Sequence, residues 1–195
     1  MDRGRAGRLG GGGGCESSRS KRQNDGVGAT HAKHLKAAVV AHKADIGIAL
    51  DGDGDRLLMA DADARLYDGD ELLYVIVRHR AARERIAGVA GTLMTNFALE
   101  QAFAKLGVPF ARAKVGDRYV LELLREKGWI LGGENSGHVI CLDGHVTGDG
   151  LAAALLLCRC LGGRTLSQAA AVMSRFPQVK ENVPAKPRSG VTRSA

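Results

Sequence analysis

Regular patterning begins near Asn24 and ends near Gln178. Leu35, Ala38, Val39 and His42 recur at helical spacing, which predicts a helix from a Thr30 cap to about Lys43 with these four on one face. Asp45 then leads into Ile46-Gly47-Ile48-Ala49-Leu50, an apolar run of strand length that ends at Asp51. A second strand, Leu57 to Ala60, follows a short polar loop. Beyond it the spacing predicts helices over 69–86, 97–106, 117–127, 149–162 and 165–175, and strands over 88–94, 108–113, 129–132 and 138–142. Mostly alternating units of this size predict an α/β fold, a layered sheet flanked by helices.

The two ends break the pattern. Residues 1–23 are Arg, Gly and Ser with Gly10 to Gly14 uninterrupted, and the chain after Pro177 turns to Pro, Lys, Arg and Ser. Such stretches bury too little apolar area to offset their entropy loss, so both are expected to be disordered tails. The glycine run lacks a preceding strand and a GK[ST] ending, so it is linker and not a nucleotide loop.

The ends also explain the net charge of +7. Residues 1–23 carry six basic side chains against two acidic, residues 180–195 carry four against one, and the segment between is neutral. A basic module that attracts nucleic acid or acidic surfaces therefore rests on the tails alone, without aromatic interleaving or a nucleic-acid motif, and no specific nucleic acid is expected. No apolar stretch approaches the roughly 20 residues of a membrane span, and the N-terminus has no apolar signal region, so the expectation is a cytoplasmic protein without membrane contact. Cys15, Cys141, Cys158 and Cys160 fit neither a zinc spacing nor a disulfide framework and are expected to be free thiols, mostly core filler.

The sharpest local chemistry is Asp51-Gly52-Asp53-Gly54-Asp55-Arg56 between two strands. Three carboxylates in five residues repel one another, and a hard divalent cation, Mg²⁺ or Ca²⁺, relieves this. An EF-hand begins similarly but needs Gly at its sixth position and Glu at its twelfth, where Arg56 and Ala62 stand. A solvated acidic turn is the alternative, and Arg56 argues against it, because a cation beside a metal site suits a phosphate.

Gly132-Gly133-Glu134-Asn135-Ser136-Gly137-His138 follows a predicted strand, where open α/β sheets bind ligands. Glu134 and Ser136 suit vicinal sugar hydroxyls, and His138 suits proton exchange near neutral pH or a structural hydrogen bond at a strand start. Lys114-Val115-Gly116-Asp117-Arg118 opens a helix, where Lys114 and Arg118 suit an anion such as a sugar phosphate; Asp117 as N-cap explains part of the same pattern. Thr147-Gly148-Asp149-Gly150 reads chiefly as a capped helix start.

Taken in order, Lys43 to Arg56 (KADIGIALDGDGDR), Asp68 to Leu73 (DGDELL), Thr92 to Leu106 (TLMTNFALEQAFAKL), Lys114 to Val120 (KVGDRYV), Gly132 to His138 (GGENSGH) and Thr147 to Gly150 (TGDG) resemble the α-D-phosphohexomutase superfamily, most closely its amino-sugar branch. The resemblance runs from about Asn24 to about Gln178. It implies α/β/α domains with mixed sheets, and transfer of a phosphoryl group between O6 and O1 of a sugar phosphate, here glucosamine 6-phosphate and glucosamine 1-phosphate. The transfer runs through a phosphoserine and a bisphosphorylated sugar. Asp51, Asp53 and Asp55 would hold Mg²⁺ against the phosphoserine, Arg56 would contact its phosphate, Glu134 and Ser136 would hold sugar hydroxyls, and His138 would shuttle a proton. A homodimer is open to the full-length members.

The resemblance also implies how the chain is divided. Residues 24–67 correspond to the closing part of a second domain with the metal loop, and residues 68–178 to a complete third domain with the sugar loop. Ser17, Ser18 and Ser20 lack the family's serine-loop context, and Arg188-Ser189-Gly190 lacks the continuation of its phosphate loop. The expectation is a fragment without turnover of its own. The strand Ile46 to Leu50 should then have an unpaired edge and a poorly covered face, and Ala64 stands in a turn where the family usually has Gly.

Overall fold

In the computed structural model, residues 32–171, 175–179 and 181 are described; Thr30, the N-terminal tail and most of the C-terminal tail lie outside them. The first helix, α1, spans Ala32–His42. Only Leu35 and Val39 of its predicted apolar face are buried, whereas Ala38 and His42 are exposed. The reason is a narrow contact: a Cβ on Gly47 would lie 2.8 Å from Leu35 Cδ1 and overlap Val39 Cγ2, so α1 rests on the strand below along one line.

Strands β1 (Ile46–Leu50), β2 (Leu57–Asp61) and β3 (Leu66–Tyr67) form an antiparallel sheet in that order, with Ile46 opposite Asp61 and Leu50 opposite Leu57. β3 was not expected from the pattern, because two residues give no periodicity. The chain reaches it through Ala64 at φ 57°, a left-handed conformation that costs an L-residue about 1 kcal/mol or more. A polar knot then ties this sheet to the rest. The Tyr67 hydroxyl donates to Asp61 Oδ2 at 2.7 Å, and Arg65 lies over the Tyr67 ring and pairs with buried Glu71. Burial and the Asp61 bond push the Tyr67 hydroxyl up to about 12.

Strands β4 (Val89–Thr92), β5 (Phe110–Ala113), β6 (Leu131–Gly133) and β7 (Val139–Cys141) build a second sheet, ordered β5-β4-β6-β7. β4 is parallel to β5 and β6, and β7 is antiparallel to β6, so the sheet is mixed. Helices α2 (Gly69–Ala81), α3 (Phe97–Lys105), α4 (Asp117–Lys127), α5 (Gly150–Leu161) and α6 (Leu166–Ala170) complete the fold. Successive strand residues serve opposite faces. Val89, Leu131 and Val139 pack with α2, α3 and α5, while Ala90 and Ile140 pack with Val120 and Leu124 of α4. The result is an α/β/α sandwich in which α2 is buried along nine successive residues, Gly69 to Val77.

Several predicted ends move inward. α2 stops at Ala81 and not at 86, because Arg83 and Glu84 both turn their N–H groups onto the Arg80 carbonyl, which lets Ile86 bury and Gly88 pass under the Trp129 ring. The strand predicted over 88–94 narrows to Val89–Thr92, and the last helix to Leu166–Ala170, which starts with a capping box between Thr165 and Gln168. Residues 175–179 then lie against the start of α3: Asn96 Nδ2 donates to the Phe176 carbonyl, Phe176 N–H donates back to Asn96 Oδ1, and Arg175 pairs with Asp68. Of the described cysteines, all free, Cys160 is buried in the core, Cys141 is half-buried against it and Cys158 is exposed, so core filling describes the first two and not Cys158. No described helix is long and apolar enough to cross a membrane.

Candidate functional site

The turn between β1 and β2 is shaped by Gly54, at φ 73°, and by its own backbone: Gly54 N–H donates to the Asp51 carbonyl at 3.2 Å. Asp51 is held by its neighbour across the turn, accepting from Arg56 N–H at 3.2 Å and pairing with Arg56 Nε at 3.6 Å. Asp53 is exposed. Asp55 reaches out of the loop, and its Oδ2 lies 3.2 Å from His138 Nδ1.

That contact joins two segments 83 residues apart. Three backbone amides fix the junction. Leu57 N–H donates to the Gly137 carbonyl at 3.0 Å, Gly69 N–H to the Asn135 carbonyl at 3.2 Å, and Gly150 N–H to the Gly54 carbonyl at 2.8 Å. Arg56 and His138 form a β-bridge between the two sheets. Glycine is required where the chains meet: a Cβ on Gly69 would overlap the Glu134 carbonyl, one on Gly137 the Leu57 carbonyl, and one on Gly148 the His138 ring. The Thr147 to Gly150 segment, read from sequence as a helix start, does cap α5 through Asp149 and also walls the His138 imidazole. Its signal in the sequence was the paired glycines flanking the capping residue.

Glu134 connects the sugar loop to the third motif, since its Oε1 accepts from Gly116 N–H at 2.9 Å. Gly116, at φ 128°, is the N-cap of α4; Asp117, expected as the cap, is the first helical residue instead. Ser136 is exposed beside Glu134. Lys114 is exposed, with its ammonium over the Tyr119 ring at 5.7 Å. Arg118 lies outside this convergence, ion-paired with Glu122 along α4 at 2.8 Å and 81% exposed.

Among the described residues, two buried polar atoms at the junction find no hydrogen-bond partner: Asp55 Oδ1 and His138 Nε2. A carboxylate only accepts, so His138 Nδ1 carries the proton in the contact with Asp55. The three loop carboxylates do not themselves converge, and among the described residues no three His, Cys, Asp or Glu side chains form a metal-ligand group. Like charges spread, and Asp51 and Asp55 each take the nearest cationic or donor group. The residues nevertheless fit a hard cation, since the buried, partnerless Asp55 Oδ1 is the kind of oxygen such an ion satisfies.

An α/β/α sandwich with an acidic loop bridged to a Gly-rich polar loop has a known class. Residues 68–176 match the family described as phosphoglucomutase/phosphomannomutase, alpha/beta/alpha domain III, and the chain belongs to that family. Over 163 residues it is 60% identical to phosphoglucosamine mutase of Aromatoleum aromaticum, covering 83% of this chain and 36% of that protein. Among solved structures it is similar to a phosphoglucomutase/phosphomannomutase family protein from Burkholderia thailandensis, with a TM-score of 0.66, 29% identity, and coverage of 75% of this chain and 33% of that one. The fold is also that of Aspergillus fumigatus N-acetylphosphoglucosamine mutase, solved in complex with GlcNAc-6P and magnesium: TM-score 0.60, 19% identity, covering 77% of this chain and 40% of that one. The chain spans about a third of the length of the curated relatives it matches.

Proposed function

We propose that this chain is the metal-loop and sugar-loop portion of a phosphoglucosamine mutase, which interconverts glucosamine 6-phosphate and glucosamine 1-phosphate through a phosphoserine and a bisphosphorylated sugar. The observation that supports the reading is the junction of the acidic and sugar loops through Asp55 and His138, which brings the two motifs side by side. Phosphoryl transfer is chiefly positioning and charge neutralisation, and both are supplied here by named groups.

Asp51, Asp53 and Asp55 would hold Mg²⁺, which supplies positive charge against the transferring phosphoryl group. Asp55 divides its two oxygens, Oδ2 on His138 and the buried Oδ1 left for the cation. Arg56, half-exposed at the loop's end, supplies a second positive charge for the phosphate. Glu134 is steadied by Gly116 N–H through one oxygen, which leaves the other, with the Ser136 hydroxyl, for vicinal sugar hydroxyls. Lys114, on the segment that Glu134 anchors, would supply charge for the sugar's phosphate, and Arg118, the second residue of α4, would join it only by leaving its ion pair with Glu122. His138, its ring buried, held by Asp55 and walled by Gly148, would be the group that exchanges a proton with the sugar. The same reading divides the chain at residues 67 and 68 and assigns it to the cytoplasm, with a homodimer open to the whole protein.

A chimera tests this. Residues 43–178 replace the matching segment of the Aromatoleum enzyme, and turnover is followed by ³¹P NMR. The chimera should favour glucosamine 6-phosphate over mannose 6-phosphate and glucose 6-phosphate, and Asp53→Ala within it should lower turnover by about 100-fold. Preference for mannose or glucose 6-phosphate would move the chain to another branch of the family, and full activity of the Asp53→Ala chimera would remove the metal loop from the mechanism.

A further inference from the structure

At the other end of α2 and α5, roughly 17 Å along the helices from the junction at 1.5 Å per residue, lies a cavity of about 490 Å³. Arg78, His79, Arg83 and Arg164 line it together with Leu106 and Ala82. Three elements contribute the guanidinium groups: the body of α2, the turn after it, and the loop from α5 to α6. Each caps a backbone carbonyl: Arg78 donates to Ala169 O at 3.0 Å, Arg83 to His79 O at 2.8 Å, and Arg164 to Leu161 O and Cys160 O at 3.2 and 3.3 Å.

Helix C-termini favour cations, and that accounts for one arginine at each. It does not account for three facing one cavity. A guanidinium has five N–H donors, and these bonds use one or two of each. Neighbouring Arg80 shows the contrast, since it is neutralised by Asp143 at 2.6 Å and Glu84 at 4.0 Å. Arg78, Arg83 and Arg164 make no ion pair with any described carboxylate. Three such charges repel one another, and a multivalent anion removes the repulsion and occupies the spare donors together.

We propose that this cavity is a second anion site, distinct from the sugar cleft, which binds an organic phosphate monoester with its phosphate on Arg78, Arg83 and Arg164 and its carbon part against Leu106 and Ala82. The volume lies within the range of small-molecule sites and exceeds what a bare phosphate fills. Because the guanidiniums are tethered to carbonyls, the phosphate receives donors that are already oriented.

Inorganic phosphate and phenyl phosphate, titrated into the chain at low ionic strength, test the site by ¹H–¹⁵N correlation spectra. Both should shift amides of residues 78–83 and 160–164, phenyl phosphate binding more tightly, and Arg83→Gln with Arg164→Gln should weaken binding by about tenfold or more. Arg56→Gln should leave those shifts in place. Shifts confined to residues 51–56 and 114–138, or unchanged affinity in the folded double variant, would overturn the proposal. Should the double variant fail to fold, as circular dichroism would report, the map on the unaltered chain decides alone.

Discussion

Asp70 sits at the buried start of α2 and accepts from Asn96 N–H at 2.8 Å. Burial raises its carboxyl to about 7, Asp68 adds to the rise, and the Asn96 bond with Arg175 and Arg112 opposes it. Between pH 4 and 7 the folded chain therefore holds a proton that the unfolded chain releases. The stability this confers is complete at the acid end and is lost as pH rises through about 7. Asp70→Asn keeps an acceptor for Asn96 and removes the titration. Urea unfolding at pH 5 and pH 7.5 should show the variant gaining on the parent by on the order of 2 kcal/mol over that interval. A constant difference would place the carboxyl's titration elsewhere. None of this was legible in the sequence, where the Asp-Gly-Asp at 68–70 reads as a polar helix start. The Asp51 to Arg56 loop was legible as an acidic turn between two strands, because those six residues are contiguous. Its contact with His138 was not, since only the fold brings together positions 83 apart.

At the scale of elements, the alternating strands and helices were legible, and so was the flanking of the sheet. Ends were less so. Ala81 to Ile86 contains good helix formers, and α2 ends there because Gly88 has to pass Trp129, a constraint that resides 41 residues downstream. Ala64 in a left-handed turn and the two-residue β3 were likewise invisible to periodicity. The element boundary that matters most is the start of α2 on the sugar loop. A Cβ on Gly69 would overlap the Glu134 carbonyl, and neither partner is a side chain that can swing aside. Gly69→Ala should destabilise the chain by about 2 kcal/mol, in spite of alanine's higher helix propensity, as read from chemical denaturation. A neutral or stabilising result would show that the loop can yield.

At the scale of the whole molecule, the first sheet is open on one side among the described residues. β1 is an edge strand, covered by α1 on one face, with Ile48 44% exposed on the other. Leu151 and Leu155, one turn apart on α5, are exposed as well. Such an edge invites pairing with another chain. Ile48→Lys should therefore shift the sedimentation profile toward monomer at concentrations where the unaltered chain self-associates, and a parent that stays monomeric at all concentrations would contradict the reading. The neutral body between basic ends was fully legible from counting charges; the open edge was expected from the resemblance and not from any local pattern. The junction of the two loops carries a different consequence. Its three fixed bonds run between peptide groups of Leu57 and Gly137, Gly69 and Asn135, and Gly150 and Gly54. Four of those six positions are glycines, and a Cβ on Gly69, Gly137 or Gly150 would press into a neighbouring backbone oxygen. Descendants of this sequence can therefore change the side chains beside the junction, and with them what it recognises, only while those glycines stay bare.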